Sequence, residues 1–196
     1  MSSISTESAS KHCWFELIDF PSPVLKEPID YRGPITRGGR NLVYLYGDSA
    51  TEEAHRWFRN YGLDLKLISM FWRLTPRNSA VMHVDRVKET DRRIVCGFNV
   101  ELRGRGVMKW FSEDNLTWTD TFDAYRLYDE GQYAPEIDRC DFSTGPCLVR
   151  TDIPHSVEVV KWPRLVCSVR VCYEDGSVLT SWEELVQRVS PSLRPR

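Results

Sequence analysis

Two histidines and one aspartate define the chemistry open to this chain. His83 and Asp85 flank Val84 in Ser79-Ala-Val-Met-His-Val-Asp85, and His155 stands in Thr151-Asp-Ile-Pro-His155-Ser-Val. On a strand, side chains at i and i+2 leave the same face, so His83 and Asp85 reach one point. A second strand bringing His155 alongside would place two imidazoles and a carboxylate on one side of a metal ion. That donor set suits Fe(II) and leaves the other coordination positions open for a bidentate cosubstrate and O2; Mn, Co, Ni or Zn would fit it in vitro. The His-x-Asp pair alone is a weak signal. A distal histidine with an arginine shortly after it makes the signal strong.

That arginine is present. His155 is followed by Ser-Val-Glu-Val-Val-Lys-Trp-Pro and then by Arg164-Leu-Val-Cys-Ser168-Val-Arg170. At these residues the chain resembles the Fe(II)/2-oxoglutarate-dependent dioxygenases, most of all the small oxygenase-like proteins of phage and bacterial genomes. The resemblance runs from about Lys66 to Tyr173 and takes in Phe71-Trp-Arg-Leu-Thr-Pro76, Gly97-Phe-Asn99-Val-Glu-Leu and Met108-Lys-Trp-Phe111. It implies Fe(II) held by His83, Asp85 and His155, with 2-oxoglutarate and O2 as cosubstrates. It also implies Arg164 on the far carboxylate of 2-oxoglutarate, because a planar guanidinium pairs bidentately with a carboxylate. There is one departure. The family often has serine two residues after that arginine, but Val166 stands there and Ser168 comes later. Ser168 and Arg170 share a strand face with Arg164, so Arg170 is a rival for the same role. Asn99 is polar within an apolar run and needs a partner if it faces inward; the resemblance makes it a cosubstrate contact. Thr151 and Ser156 flank the distal histidine and read as strand-edge residues or as hydrogen-bond partners of the ligands.

The elements that must position these residues follow from periodicity. From Lys66 onward the chain reads as strands over about 66–74, 79–85, 93–102, 106–112, 136–142, 146–150, 155–161 and 164–173. Short strands separated by turn residues point to a sandwich or barrel, and this number fits a double-stranded β-helix, the jelly-roll or cupin-like barrel. The fold class is therefore mainly β with a few flanking helices. Glu113–Tyr133, rich in Asp, Thr, Trp and Tyr, reads as a long insert, either a lid or pocket wall or a packed surface loop. Before the strands, Ala54, Trp57, Phe58 and Tyr61 form a helical stripe over 51–61. Ser49 and Glu52 have capping-box spacing there, and Gly62 suits the C-terminal cap. His55 falls away from the stripe and reads as a surface histidine.

Residues 1–10 are polar and Ser-rich and read as disordered, and Cys13–Phe20 as a first strand. Pro28, Gly33, Pro34, Gly38 and Gly39 mark loop, with a short strand at 41–46. Ser181 and Glu184 cap a short helix over 182–189, followed by a frayed tail. One domain spans 1–196: an N-terminal extension (1–47), a helix (48–63), the barrel (66–173) and a C-terminal helix with tail (174–196).

Composition narrows the function classes. At 196 residues and a net charge of -2 the chain can bury a sizeable core and lacks the basic excess of a polyanion binder. Arg86, Lys88, Arg92, Arg93, Arg103, Arg105 and Lys109 are interspersed with Glu89, Asp91, Glu101 and Glu113. They read as a solvated surface rather than a nucleic-acid site. No apolar run approaches the ~20 residues of a membrane span, and the N-terminus lacks signal-peptide blocks, so the expected compartment is the cytoplasm. The six cysteines form no Cys-x-x-Cys pair and read as small buried hydrophobes. The substrate is expected to be a small molecule or a side chain. Two other readings remain open: a cupin-like binding or structural module with a vestigial or different metal site, and a metal-dependent isomerase or hydrolase, which has little need of Arg164.

Overall fold

A computed structural model describes residues 4–27, 40–73, 80–87, 90, 92–114, 116–122, 125–128 and 134–196. The loop expected around Gly33, Pro34, Gly38 and Gly39 lies outside these residues, as do Lys88, Glu89 and Asp91. The chain is mainly β, with three short α-helices among the described residues: α1 (Thr6–Lys11), α2 (Glu52–Arg59) and α3 (Trp182–Val189). The strands are β1 (Trp14–Glu16), β2 (Arg40–Tyr46), β3 (Leu63–Arg73), β4 (Ala80–Val87), β5 (Arg92–Arg93), β6 (Cys96–Phe111), β7 (Trp118–Phe122), β8 (Tyr125–Tyr128), β9 (Glu136–Asp141), β10 (Cys147–Arg150) and β11 (His155–Tyr173). They form one large antiparallel sheet with the central order β1-β10-β6-β11-β4-β8-β7.

β6 and β11 are its axis. They pair from His155 opposite Trp110 to Val169 opposite Phe98. The sequence pattern suggested two strands in each; the structure has one continuous strand in each, turned at a corner. The register slips between Val159 and Val166, and unequal residue numbers on the two sides bend a ribbon. Gly104 faces the slip with φ 77°. A Cβ there would lie 2.4 Å from the carbonyl oxygens of Lys161 and Pro163, so only glycine fits. The bend is large. His155 and Arg170 would be about 50 Å apart on a straight strand, yet both reach Asp85.

The two faces of the sheet are covered differently. On one, Leu65, Ile68, Met70, Phe98, Leu148, Cys167 and Val169 pack beneath Ala54, Trp57 and Phe58 of α2 and Trp182, Leu185, Val186 and Val189 of α3. The helical periodicity of these residues is what lays both helices on the sheet. The cap of α2 is Thr51, which accepts from the Ala54 N–H at 3.2 Å. The expected Ser49 cap is displaced because Gly47–Ser49 form a 3-10 turn. Ser181 caps α3 at the expected position, accepting from the Glu184 N–H. His55 is half-buried, its Nε2 2.8 Å from the Gly47 carbonyl oxygen, where a surface histidine was expected. On the opposite face, Cys13, Met108, Trp110, Cys140, Phe142, Cys147 and Val149 form a second apolar cluster. Beside it lies a set of buried polar residues.

Three peripheral segments differ from the sequence reading. Thr6–Lys11 is helical, and α1 is tied to α3 by Trp182 Nε1, which donates to the Ala9 and His12 carbonyls. The Glu113–Tyr133 insert contains the hairpin β7-β8, and β8 pairs with β4 from His83 to Asp85. The C-terminal tail is held: Arg196 bonds Asp138 and its guanidinium lies 4.2 Å from the Trp14 ring centroid. All six cysteines are unpaired and buried, as expected. Among the basic residues, Arg93 pairs with Glu113 and Lys109 with Glu158 at 2.8 Å, and Arg105 with Asp141. Arg86 is buried rather than solvated. No helix among the described residues is long and apolar enough to cross a membrane.

Candidate metal centre

β4 and β11 bring the three expected ligands together. His83 and His155 are direct cross-strand partners, and partners across an antiparallel pair present side chains on one face. Asp85 lies two residues along β4, on that same face. One donor atom from each of the three lies within 4.8 Å of the others. Asp85 Oδ1 is 3.5 Å from His83 Nε2 and 3.9 Å from His155 Nε2, longer than a normal hydrogen bond. Asp85 and His155 are buried.

The protonation pattern of His155 is fixed by its neighbours. Its Nδ1 lies 2.9 Å from the Ile153 carbonyl oxygen. A carbonyl only accepts, so Nδ1 carries the hydrogen. Burial, and then the neighbouring His83, push its pKa down to about 3, so the ring is neutral. A neutral ring with its hydrogen on Nδ1 has a bare lone pair on Nε2, and that lone pair faces Asp85 Oδ1. Burial opposes ionisation of Asp85, but Arg170, followed by His83 and His155, holds its carboxyl well below the usual carboxylate range. Two acceptors therefore face one another across a buried gap. A cation between them satisfies both, and the set can bind a metal ion.

Asp85 is held at every other polar atom. Its N–H donates to the Thr151 carbonyl at 3.0 Å and its carbonyl accepts from the Ile94 N–H at 2.9 Å. Its Oδ2 accepts from Arg170 Nη2. Arg170 Nη1 donates to the Cys96 carbonyl and, at 3.2 Å, to Thr151 Oγ1. Thr151 Oγ1 donates in turn to the Ile94 carbonyl at 2.6 Å. Thr151 is thus a partner of the ligand network and not a strand-edge residue.

Three of the four expected cosubstrate residues meet beside this network. A Cβ built on Gly97 would lie 2.9 Å from Ser168 Oγ, 3.0 Å from Arg170 Nη1 and 3.1 Å from Asn99 Oδ1. Ser168 and Asn99 are direct partners across β11 and β6. Asn99 Oδ1 is buried with no hydrogen-bond partner. The bare backbone of Gly97 therefore floors a small polar cradle. The same row runs outward: Ser168 lies opposite Ser69, and Ser69 opposite Tyr44 of β2. Tyr44 is half-exposed, and burial and the field of Asp85 push its phenol above the ordinary value.

Arg164, the first choice for the cosubstrate carboxylate, is not in the cradle. It lies at the corner of β11, about 20 Å of strand from Arg170. Its Nε donates to Glu101, and both side chains are buried. Sequence spacing could not show this, because it does not reveal that Glu101 is an interior acid. Gly97, Glu101 and Tyr44 are the site-related residues that sequence reasoning missed. The first has no side chain to signal a role, the second resembled a surface charge, and the third depends on a register across several strands.

No protein-family model matches the chain, and no curated protein matches it. Solved structures with partial similarity include vicilin from Corylus avellana (hazelnut), 8% identical, covering 76% of this chain and 31% of that one at a TM-score of 0.36. Vicilin from Capsicum annuum is 7% identical and covers 77% of this chain and 34% of that one, also at 0.36. Peruvianin-I, a cysteine peptidase from Thevetia peruviana latex, is 12% identical and covers 83% of this chain and 91% of that one at 0.38. The chain spans about a third of the length of either vicilin. At such identities and scores neither topology nor function transfers.

Proposed function

We propose that this protein is a non-haem Fe(II)/2-oxoglutarate-dependent dioxygenase, a hydroxylase built on a double-stranded β-helix. The observation that carries the reading is the largely buried His83–Asp85–His155 set, in which the bare Nε2 of His155 faces Asp85 Oδ1. The donor chemistry fits Fe(II), and the orphaned Asn99 Oδ1 above Gly97 fits a bound polar cosubstrate. The bent β6-β11 ribbon, whose two ends converge on Asp85, supports the barrel topology. Six unpaired thiols suit a reducing cytoplasm.

His83, Asp85 and His155 would hold the metal. When bound, Fe(II) and 2-oxoglutarate supply O2 activation, release of succinate and CO2, and the oxidising power for hydroxylation. The chain supplies ligation, orientation and dryness. Ile153 fixes the His155 ring by accepting from Nδ1. Ser168 would donate from Oγ to a bound anion, and Asn99, turned about its amide, would present N–H to it. Arg170 puts a positive charge beside both. Met108, Trp110, Cys147 and Val149 form an apolar cluster on the same face, from which water is excluded. Arg164, paired with Glu101, has a structural part.

A cupin-like binding module is the second reading. It is favoured by one observation: Arg164 and Arg170 are both already paired with carboxylates. Anaerobic titration of metal-free protein with Fe(II) and then 2-oxoglutarate separates the two. The dioxygenase gives the weak visible charge-transfer band of a chelated 2-oxo acid, and His83→Ala abolishes it. Fe(II) uptake without a band supports the module, and absence of uptake removes both metal readings.

A further inference from the structure

The guanidinium of Arg170 is committed to protein atoms at both terminal nitrogens. Nη1 donates to the Cys96 carbonyl and to Thr151 Oγ1, and Nη2 to Asp85 Oδ2. Thr151 is itself fixed by the Ile94 carbonyl through its hydroxyl and by the Val95 carbonyl through its N–H. The backbone of Asp85 is sewn to the same two segments, donating to Thr151 and accepting from Ile94. Arg170 and Asp85 therefore cannot shift independently of one another.

We propose that Arg170 is a positioning residue for the metal ligand Asp85, and that it restricts Asp85 to binding through Oδ1 alone. An unrestrained carboxylate can coordinate through either oxygen or through both. Here Oδ2 is turned to the guanidinium while Oδ1 faces both imidazoles. One-oxygen ligation keeps a further coordination position open, which a chelating cosubstrate needs. The inference rests on the metal part of the proposed function and not on the identity of the cosubstrate. It gives Arg170 a task different from the carboxylate grip for which its shared strand face made it a rival of Arg164.

Hydrogen-bond partners of metal ligands typically change metal affinity 10- to 100-fold. The test is a titration of the full chain, made metal-free, with Co(II), reading affinity by calorimetry and coordination by the visible d–d band. Arg170→Gln should lower Co(II) affinity by about that factor and alter the band as Asp85 gains freedom. Arg170→Lys, which keeps the charge, should restore part of the affinity but not the wild-type band. Thr151→Val leaves the Asp85–Arg170 pair in place and only unlocks it; a several-fold loss and a smaller band change are expected. That variant also stands in should Arg170→Gln fail to fold. Wild-type affinity and an unchanged band in Arg170→Gln, or in Thr151→Val if it alone folds, overturn the inference and leave the metal site standing. Absence of Co(II) binding by the wild type overturns both.

Discussion

Two arginine–carboxylate pairs lie on the same face of β11, one buried at its corner and one part-buried at the candidate metal centre. At the corner, Glu101 is satisfied on both oxygens. Oε1 accepts from Arg164 Nε, and Oε2 from the Gly106 N–H at 3.0 Å. The guanidinium lies 5.3 Å from the Phe142 ring centroid, over a Gly106 whose Cβ would meet Nε at 2.4 Å. That pair is closed. At the metal centre Asp85 turns Oδ2 to Arg170, and Oδ1 faces the Nε2 atoms of His83 and His155 at 3.5 and 3.9 Å. A buried ion pair is thus no sign of function by itself. What separates the two is a carboxylate oxygen turned away from its arginine towards two imidazole nitrogens, one of them the bare Nε2 of His155.

The contrast breaks most sharply under truncation. Asp85→Ala should still fold, while Fe(II) affinity in equilibrium dialysis falls more than about 100-fold and 2-oxoglutarate turnover disappears. Glu101→Ala should do the reverse. Removing one member of a buried pair costs about 3–5 kcal/mol, measured by urea unfolding, while the folded fraction keeps its metal affinity. Retained metal binding and turnover in Asp85→Ala would remove the assigned ligand set.

Acid provides a gentler probe of the same difference. The pKa of His155 stands near 3 in the folded protein against an ordinary value of 6.5. Between those values the unfolded chain binds more protons, so stability falls as pH drops from 6.5 towards 3. Asp85, held below the usual carboxylate range, adds to this at the acid end: its contribution is present above about pH 3.9 and is lost below it. Urea midpoints of the metal-free protein at pH 7, 5 and 4 should decline steadily. His155→Gln should flatten the slope. An equal slope in the variant would show that His155 is not the buried neutral group described here.

Much of this arrangement was legible in the residues, for reasons that also mark where legibility stops. The i, i+2 spacing of His83 and Asp85 forces a shared face on any strand, and the strand-like run opened by His155 announced its partner. The pairing of His83 with His155 bears that out. The stripe of Ala54, Trp57 and Phe58 likewise gave α2 and its buried side. Residue counting failed at Arg164, because a strand that turns a corner separates side chains that share its face. Glu101 looked like a surface acid because nothing in a linear pattern tells a charge with a buried partner from a solvated one. The hairpin β7-β8 hid in a stretch whose Asp and Thr residues resemble loop.

Gly97 carries the finest distinction. Alanine there would place a methyl 2.9–3.1 Å from Ser168 Oγ, Arg170 Nη1 and Asn99 Oδ1. All three are ends of side chains; Ser168 Oγ and Asn99 Oδ1 give by a few tenths of an ångström, and Arg170 Nη1, tied to Cys96 and Thr151, gives least. The cost to stability should therefore be small, under about 1 kcal/mol. No metal ligand borders the methyl, and Arg170, tied to Asp85, meets it only at Nη1, so Co(II) affinity should fall by no more than about threefold, less than the roughly 10- to 100-fold expected when a ligand's partner is removed. On the proposed function the methyl would occupy the floor on which a polar cosubstrate would rest, and Asn99 and Ser168 would have to turn from it. The expected result is a roughly tenfold weaker dissociation constant for 2-oxoglutarate, about 1.4 kcal/mol, read from the charge-transfer band under anaerobic conditions. Unchanged 2-oxoglutarate affinity would move the cosubstrate out of the cradle. A loss of Co(II) affinity as large as that of Arg170→Gln would mean that the cradle and the Asp85 clamp are one unit, and the distinction between them would go.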